Sequence, residues 1–128
     1  MDYSFDHDRP IYLQLMEQLE REIASGTLSP GSRMPSVRDL AGRLGISPNT
    51  VQRAMYEMER TGLIQSLGTE GRIVTQNRSR IEEARKELAQ GTLEAFYQEM
   101  RRLGFDDAET LRLAKEYSSA VREERSVE

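Results

Sequence analysis

The chain has 128 residues, 37% of them hydrophobic and 31% charged, which suits one ordinary domain or a small domain with an appendage and leaves little room for a deep catalytic pocket. It contains no cysteine, so disulfides, thiolate nucleophiles and cysteine metal sites are excluded and a reducing cytoplasm is favoured. No apolar run approaches the roughly 20 residues of a membrane span, and the acidic N-terminus is unlike a signal peptide.

The net charge of −4 is distributed unevenly along the chain. Residues 33–80 carry eight arginines and four acids, a net charge of +4, whereas residues 81–128 carry eight basic and twelve acidic residues, a net charge of −4. Only the basic stretch would face phosphate, and arginine suits forked contacts to phosphate and guanine. An ordinary solvated surface would have the same composition, so charge alone leaves both interpretations open.

The first predicted helix begins at Pro10, because a proline at the first helical position loses no hydrogen bond. Apolar residues then recur every fourth position, which is typical of one buried helix face, until Gly26 ends the helix in the left-handed conformation that glycine favours. The apolar stripe consists of Ile11, Leu15, Leu19 and Ile23. Residues 27–31 are predicted to form a short extended piece and a Pro-Gly turn.

Two closely joined helices are predicted next. Ser36 caps the first of them and Gly45 ends it, while Ser47 caps the second, which has Pro48 at its first position. Capping alone, or a phosphate held at the helix N-terminus, would each explain Ser36. The predicted inward faces are Val37, Leu40, Ala41 and Leu44 in one helix and Val51, Ala54, Met55 and Met58 in the other. The turn between the helices is too short to be a loop.

A small hairpin follows, with predicted strands at residues 63–67 and 72–75. Residues 76–79 are the predicted linker. The chain is therefore divided into a domain of residues 1–78 and a helical segment of residues 79–128.

Two helices are predicted in this second segment. One spans residues 81–103, and the other starts at Asp106 and Glu109 after Gly104. Gly91 lies in the middle of the longer helix, where a glycine costs about 1 kcal/mol of stability relative to alanine. Close approach of another helix, or a kink, would each explain why a glycine is found there. The broad apolar face has little within the chain to cover it, which predicts a dimer interface. The predicted interface residues are Ile81, Leu88, Gly91, Ala95, Phe96, Met100, Leu103, Leu111 and Tyr117.

The strongest functional signal is the pair of joined helices. Ala41, Gly45 and Val51 have the spacing of a helix-turn-helix, in which a small residue lies at the crossing, glycine makes the turn and an apolar residue seals the contact. An ordinary helical hairpin would explain the apolar positions as well. A hairpin with a merely solvated outward face would more often carry lysine and glutamate there. The outward face instead carries short and planar polar groups, which can pair with base edges. These outward residues are Asn49, Thr50, Gln52, Arg53, Tyr56 and Arg60.

Four stretches, residues 10–15, 23–41, 45–54 and 58–64, resemble the GntR family of bacterial regulators, and the resemblance spans about residues 9–76. It implies a mostly α-helical winged helix-turn-helix with a small β-hairpin wing, which binds operator DNA as a dimer. The short helical remainder is similar to the YtrA subfamily, where such a segment serves dimerisation. Members of that subfamily are often encoded beside ABC-transporter genes, so a transporter operon is an implied target.

The resemblance also assigns single residues. Arg38 stands where the family's Pro-Ser-x-Arg-x-Leu motif has a DNA-contacting arginine, although a salt bridge to Asp39 would explain it too. Pro48 replaces an arginine common in larger members, so a contact made there by relatives is lost. Gly71 and Arg72 match the wing tip. The predicted DNA-binding residues are Arg33, Ser36, Arg38, Ser47, Asn49, Thr50, Gln52, Arg53, Gly71 and Arg72.

The sequence thus predicts a homodimeric repressor that binds an inverted-repeat operator, needs no cofactor or metal, and responds to a small effector that the resemblance implies but does not name. The alternative is a winged helix used for protein–protein contact without base reading. An enzyme is not expected, because His7, the only histidine, lies in a segment predicted to be loose, and the chain has no phosphate-binding glycine loop and no visible set of metal ligands.

Overall fold

The computed structural model describes residues 3–127, which are mostly helical, as predicted. The helices are α1 (Ile11–Ser25), α2 (Val37–Leu44), α3 (Pro48–Arg60), α4 (Arg78–Arg102) and α5 (Asp107–Val127). The strands β1 (Ile64–Ser66) and β2 (Arg72–Val74) form an antiparallel hairpin in which Ile64 pairs with Val74. Within the described part of the chain, no helix has the length and apolarity needed to cross a bilayer.

Residues 1–88 and 89–128 form two compact units. The first contains α1, α2, α3, the hairpin and the first turns of α4, and the second contains the rest of α4 and α5. The sequence analysis predicts a boundary after residue 78, between the helix-turn-helix domain and the helical segment. This boundary stays a prediction.

The core of the first unit is built from the faces that the sequence periodicity predicts. Leu15, Leu19 and Ile23 of α1 are at most 1% exposed, and they belong to one cluster with the apolar side of α3. The buried α3 residues are Val51, Ala54, Met55 and Met58. Leu40 and Ala41 of α2 are also buried, so the predicted inward face of this helix is confirmed at its centre. This core fixes which side of α3 is left to solvent.

The segment before α1 is held in place, so the prediction that it is loose is wrong. The buried side chain of Gln14 accepts a hydrogen bond from the Asp6 backbone N–H at 3.0 Å and donates to the carbonyls of Asp6 and Arg9 at 2.9 and 2.8 Å. Arg9 also makes a two-pronged ion pair with Glu17, at 2.7 and 2.9 Å. His7 itself is exposed.

The linker after the hairpin is shorter than predicted. The prediction placed it at residues 76–79, but α4 begins at Arg78. The Asn77 side chain accepts a hydrogen bond from the Arg80 backbone N–H at 3.2 Å, which makes Asn77 the N-cap. Arg78 and Ser79 are therefore helical, because an asparagine cap starts the helix three residues before the first apolar position.

The turn between α4 and α5 follows the predicted signals. Gly104 has a φ of 96°, a left-handed conformation that favours glycine. Asp106 and Glu109 form a reciprocal capping box, in which each side chain accepts the other's backbone N–H, at 2.8 and 3.2 Å. Arg101 makes two hydrogen bonds to Asp107, at 2.9 and 3.0 Å. Hydrogen bonds from nearby residues therefore pair backbone groups at the end of α4 and at the start of α5.

Candidate nucleic-acid interface

The geometry of α2 and α3 is that of a helix-turn-helix. Ala41 is 6% exposed where the helices cross, and Val51 on the facing helix is fully buried. Gly45 makes the turn with a φ of 66°, and the Ile46 N–H donates to the Ala41 carbonyl at 3.2 Å. The predicted spacing of these three positions is confirmed.

Both helices begin with a serine cap. The Ser36 hydroxyl accepts a hydrogen bond from the Asp39 backbone N–H at 3.1 Å, and the Ser47 hydroxyl accepts one from the Asn49 N–H at 3.2 Å. Each cap satisfies one of the otherwise unpaired N–H groups of its helix. Both serines are exposed, so the helix N-termini that they cap face solvent.

The outer face of α3 carries polar side chains that are largely exposed. Asn49, Gln52 and Arg53 are exposed, Tyr56 is 57% exposed, and Thr50 is partly covered. No described residue forms a hydrogen bond with the side chains of Asn49 or Gln52. The apolar underside of the same helix is fully buried. The helix therefore presents amide, guanidinium and phenol groups to whatever approaches it.

Arg38 of α2 has no ion-pair partner among the described residues. It is exposed, and it forms no salt bridge with Asp39 or with any other described residue. The sequence left open that Arg38 forms an ion pair with its neighbour Asp39. The described chain has no such pair.

The hairpin is braced from two sides. Arg33 donates from Nη1 to the Glu70 carbonyl at 2.6 Å, and Gly71 at the turn has a φ of 92°. Arg72 donates from Nε to the Glu59 carboxylate of α3 at 2.5 Å, with side-chain exposures of 21% and 24% for the two residues. Arg72, predicted as a wing-tip DNA contact, thus forms an ion pair that links the wing to α3, and most of its side chain is covered.

Several arginines of the basic stretch are committed to the fold, which the residue count did not reveal. Arg80 donates from Nε to the Thr61 carbonyl at the end of α3, at 2.6 Å, and its Nη1 is buried without a hydrogen-bond partner. Arg60 pairs with Glu57 at 3.3 Å. The Arg60–Glu57 pair is already balanced in the net charge of +4, whereas Arg80 is partly withdrawn from solvent, so not every arginine counted there is available to a partner.

One contact of this surface joins distant parts of the sequence. The guanidinium carbon of Arg53 lies over the ring of Tyr12, 3.8 Å from its centroid. Tyr12 belongs to α1 and packs against the core, partly buried. Sequence reasoning did not find this pair, and no periodicity or spacing signal relates the two positions.

The predicted dimer residues are distributed over both units. In the second unit Phe96, Leu103, Leu111 and Tyr117 are exposed by 40%, 64%, 48% and 72%. Gly91 and Ala95 are exposed as well, while Met100 and Leu88 are partly buried. Ile81 differs from the others, because it packs against the core of the first unit and is partly covered within its own chain.

The family model described as "Bacterial regulatory proteins, gntR family" matches residues 11–74, from the start of α1 to the end of β2. This match covers half of the chain. The chain belongs to the GntR family.

Relatives extend the similarity beyond that domain. The HTH-type transcriptional regulator YhcF of Bacillus subtilis is 33% identical over 118 residues, which cover 92% of this chain and 98% of YhcF. The HTH-type transcriptional repressor YtrA of the same organism is 33% identical over 97 residues, covering 76% of this chain and 70% of YtrA. A solved GntR family transcriptional regulator from Listeria monocytogenes superposes with a TM-score of 0.80 at 35% identity, covering 88% of this chain and 98% of that one.

The matches to YhcF and to the Listeria regulator cover 92% and 88% of this chain and nearly the whole of each relative, so they extend into the helical C-terminal part. The GntR chain is a transcriptional regulator with a winged helix-turn-helix DNA-binding domain, and it is not an enzyme. The family resemblance that the sequence motifs indicated is confirmed.

Proposed function

We propose that this GntR regulator is a homodimeric repressor that binds an inverted-repeat operator, with α3 as the recognition helix in the major groove. The observation that carries the proposal is the two-sided character of α3. Its underside is buried in the core, while its outer face holds exposed Asn49, Gln52 and Arg53. The N-terminal residues of a recognition helix are those that reach base edges.

The side chains near the start of α3 match base chemistry. The amides of Asn49 and Gln52 can bond adenine in a bidentate manner, and the methyl group of Thr50 can contact thymine. Arg38 on α2 supplies an exposed guanidinium without an ion-pair partner in the described chain, suited to guanine or phosphate. An unpaired arginine on α2 and unpartnered amides on α3 favour base reading over the alternative of a protein–protein module.

Other residues are assigned to the DNA backbone. The capped N-termini at Ser36 and Ser47 expose N–H groups with a partial positive charge, which suits phosphate. Arg33 and Gly71 lie at the wing, where a backbone contact is proposed. We leave Arg72 out of this set, because its guanidinium is bound to Glu59.

Dimerisation is proposed through the second unit. Among the described residues, the fully buried hydrophobic side chains end at Ala84, so this unit has none of its own. Phe96, Leu103 and Leu111 instead remain between 40% and 64% exposed. A pair of helices with an uncovered apolar face gains stability by burying it, at roughly 25 cal/mol per Å². A second copy offers a matching face by symmetry, and would set two recognition helices about 34 Å apart.

Repression is proposed because the relative YtrA is named a transcriptional repressor. Control of a transporter operon and relief by a small effector stay predictions that rest on the family resemblance.

The proposal is tested by selecting DNA from a random duplex library with the full chain. An enriched inverted repeat, with half-sites about one helical turn apart, is the expected result. Gln52→Ala should then relax the preference at one base pair of each half-site, whereas the exposed Gln98→Ala on α4 should not. A library that emerges without any enriched sequence would overturn operator binding and favour the protein–protein module.

Oligomeric state is measured separately by sedimentation at micromolar concentration. A mass of two chains supports the dimer, and a stable monomer refutes it.

A further inference from the structure

Arg53 of α3 rests on an aromatic ring that belongs to another helix. Its guanidinium carbon is 3.8 Å from the centroid of the Tyr12 ring, well within the range of a cation–π contact. Arg53 is exposed, while Tyr12 is partly buried and anchored against the core. The ring of Tyr12, which is anchored on α1, thus holds the exposed guanidinium of Arg53 on α3.

The contact leaves the hydrogen-bonding capacity of Arg53 unused. A guanidinium carries its five N–H donors in its own plane, so a ring against its face does not engage them. In the described chain no carboxylate pairs with Arg53 and no acceptor takes a hydrogen bond from it. A stacked arginine with free in-plane donors is a fork suited to an anion with two oxygens.

Its position separates Arg53 from the base-reading residues. Asn49 lies in the first turn of α3, where side chains enter a groove most directly. Arg53 lies one turn further along, and the ring holds its guanidinium back against α1. Reading a base edge requires a side chain extended into the groove, away from the protein body. The phosphates flank the groove, so a guanidinium held back against α1 is better suited to a phosphate than to a base edge.

We propose that Tyr12 is a positioning residue that holds Arg53 for a DNA backbone phosphate, so that Arg53 sets the register of the recognition helix and does not read a base. This inference rests on the proposed function, since it needs α3 in the major groove. Contacts of this kind orient a protein on the duplex without carrying sequence information.

The test compares four proteins on duplex DNA over a range of salt concentrations: the unchanged chain, Arg53→Gln, Tyr12→Phe and Tyr12→Met. Arg53→Gln should weaken binding to the selected operator and to random duplex alike, and should lower the slope of log affinity against log salt by about 2, because the proposed dimer loses one phosphate contact in each protomer. Tyr12→Phe keeps the ring and should bind as the unchanged chain does. Tyr12→Met replaces the ring by a flexible apolar chain and should bind about tenfold more weakly, because both protomers of the proposed dimer lose the contact.

A double variant shows whether the two residues act together. Arg53→Gln combined with Tyr12→Met should bind no more weakly than Arg53→Gln alone, because Tyr12 acts through Arg53. Thermal melting of every variant confirms that it is folded, and if Tyr12→Met fails to fold, Tyr12→Leu takes its place.

Three results would overturn the proposal. Arg53→Gln with an unchanged salt slope and an altered preference at one base pair would make Arg53 a base reader. Tyr12→Met with equal or tighter binding would mean that the ring does not help Arg53. Additive losses in the double variant would give Tyr12 an independent role. The salt slope on random duplex needs no operator, so it remains informative even if the selection finds no enriched sequence.

Discussion

Replacing Arg38 by alanine separates DNA binding from folding, because the side chain is exposed and unpaired. The side chain is exposed at the start of α2 and forms no ion pair with a described residue. The Ser36 cap that starts the helix bonds the Asp39 N–H, and this bond is independent of the Arg38 side chain. Surface changes of this kind alter the free energy of unfolding by no more than about 0.5 kcal/mol.

These facts give two magnitudes. In a domain the size of the first unit, about 1 kcal/mol moves the melting temperature by 4–8 °C, so Arg38→Ala should shift it by less than about 4 °C. A bidentate arginine contact contributes about 1–3 kcal/mol, and the proposed dimer loses it twice. The expected loss in operator affinity is therefore about 2–6 kcal/mol, at least about 30-fold.

Fluorescence anisotropy with the selected operator measures the affinity, and circular dichroism measures the melting temperature. The matched control is Arg85→Ala, which removes the same charge from α4, where the arginine pairs with Glu82 at 3.5 Å and is 67% exposed. The control should change affinity by less than about threefold. If Arg38→Ala binds within threefold of the unchanged chain, or melts far below it, the assignment of Arg38 to the DNA surface is refuted.

Three further predictions concern stability and assembly. Ser36→Ala should lower the free energy of unfolding by about 1 kcal/mol, measured by urea titration, while Ser36→Gly should lower it by only a few tenths. Burial raises the pKa of the Glu20 carboxyl above its ordinary value of 4.5, and the nearby Glu17 raises it further. The folded state therefore binds this proton more tightly than the unfolded state does. The free energy of unfolding should fall as the pH rises from the ordinary value of 4.5 through the raised pKa. Glu20→Gln should accordingly melt higher than the unchanged chain at pH 7, and the gap should close below the ordinary value of 4.5; a variant that melts lower at pH 7 would contradict this. Leu111→Asp, at a side chain 48% exposed, should shift sedimentation from dimer to monomer and leave far-ultraviolet dichroism of the first unit nearly unchanged, whereas an undisturbed dimer would place the interface elsewhere.

Much of the fold could be predicted because its signals are local. Gly26, Gly45 and Gly104 have the positive φ angles that end helices, and Ser36 and Ser47 make the capping bonds that start them. Each signal depends on a few neighbouring residues, so composition and order suffice to find it. The buried faces of α1 and α3 follow from the same period of 3.6 residues.

The linker is shorter than the apolar pattern predicts because the first turn of α4 is entirely polar. The pattern starts the helix at Ile81, the first apolar position, whereas the cap residue Asn77 starts it at Arg78. Helix starts are better read from the cap than from the apolar stripe, since a first turn can be entirely polar.

The remaining differences come from tertiary contacts, which no local pattern encodes. Whether Arg72 faces DNA or Glu59 depends on how the hairpin returns to α3, and the two residues are 13 positions apart. The pairing of Arg80 with the Thr61 carbonyl is of the same kind. A count of arginines therefore predicted the sign of the surface charge, while only the coordinates show which arginines are free.

The unpartnered amides of α3 bear on how such a regulator can change its target. Asn49 and Gln52 contribute nothing to the packing beneath them, so substituting either one leaves the core of Val51, Ala54 and Met58 intact. If α3 reads DNA as proposed, target choice and foldability are encoded on opposite sides of one helix. A gene duplicate of this chain could then acquire a new binding sequence without losing its core.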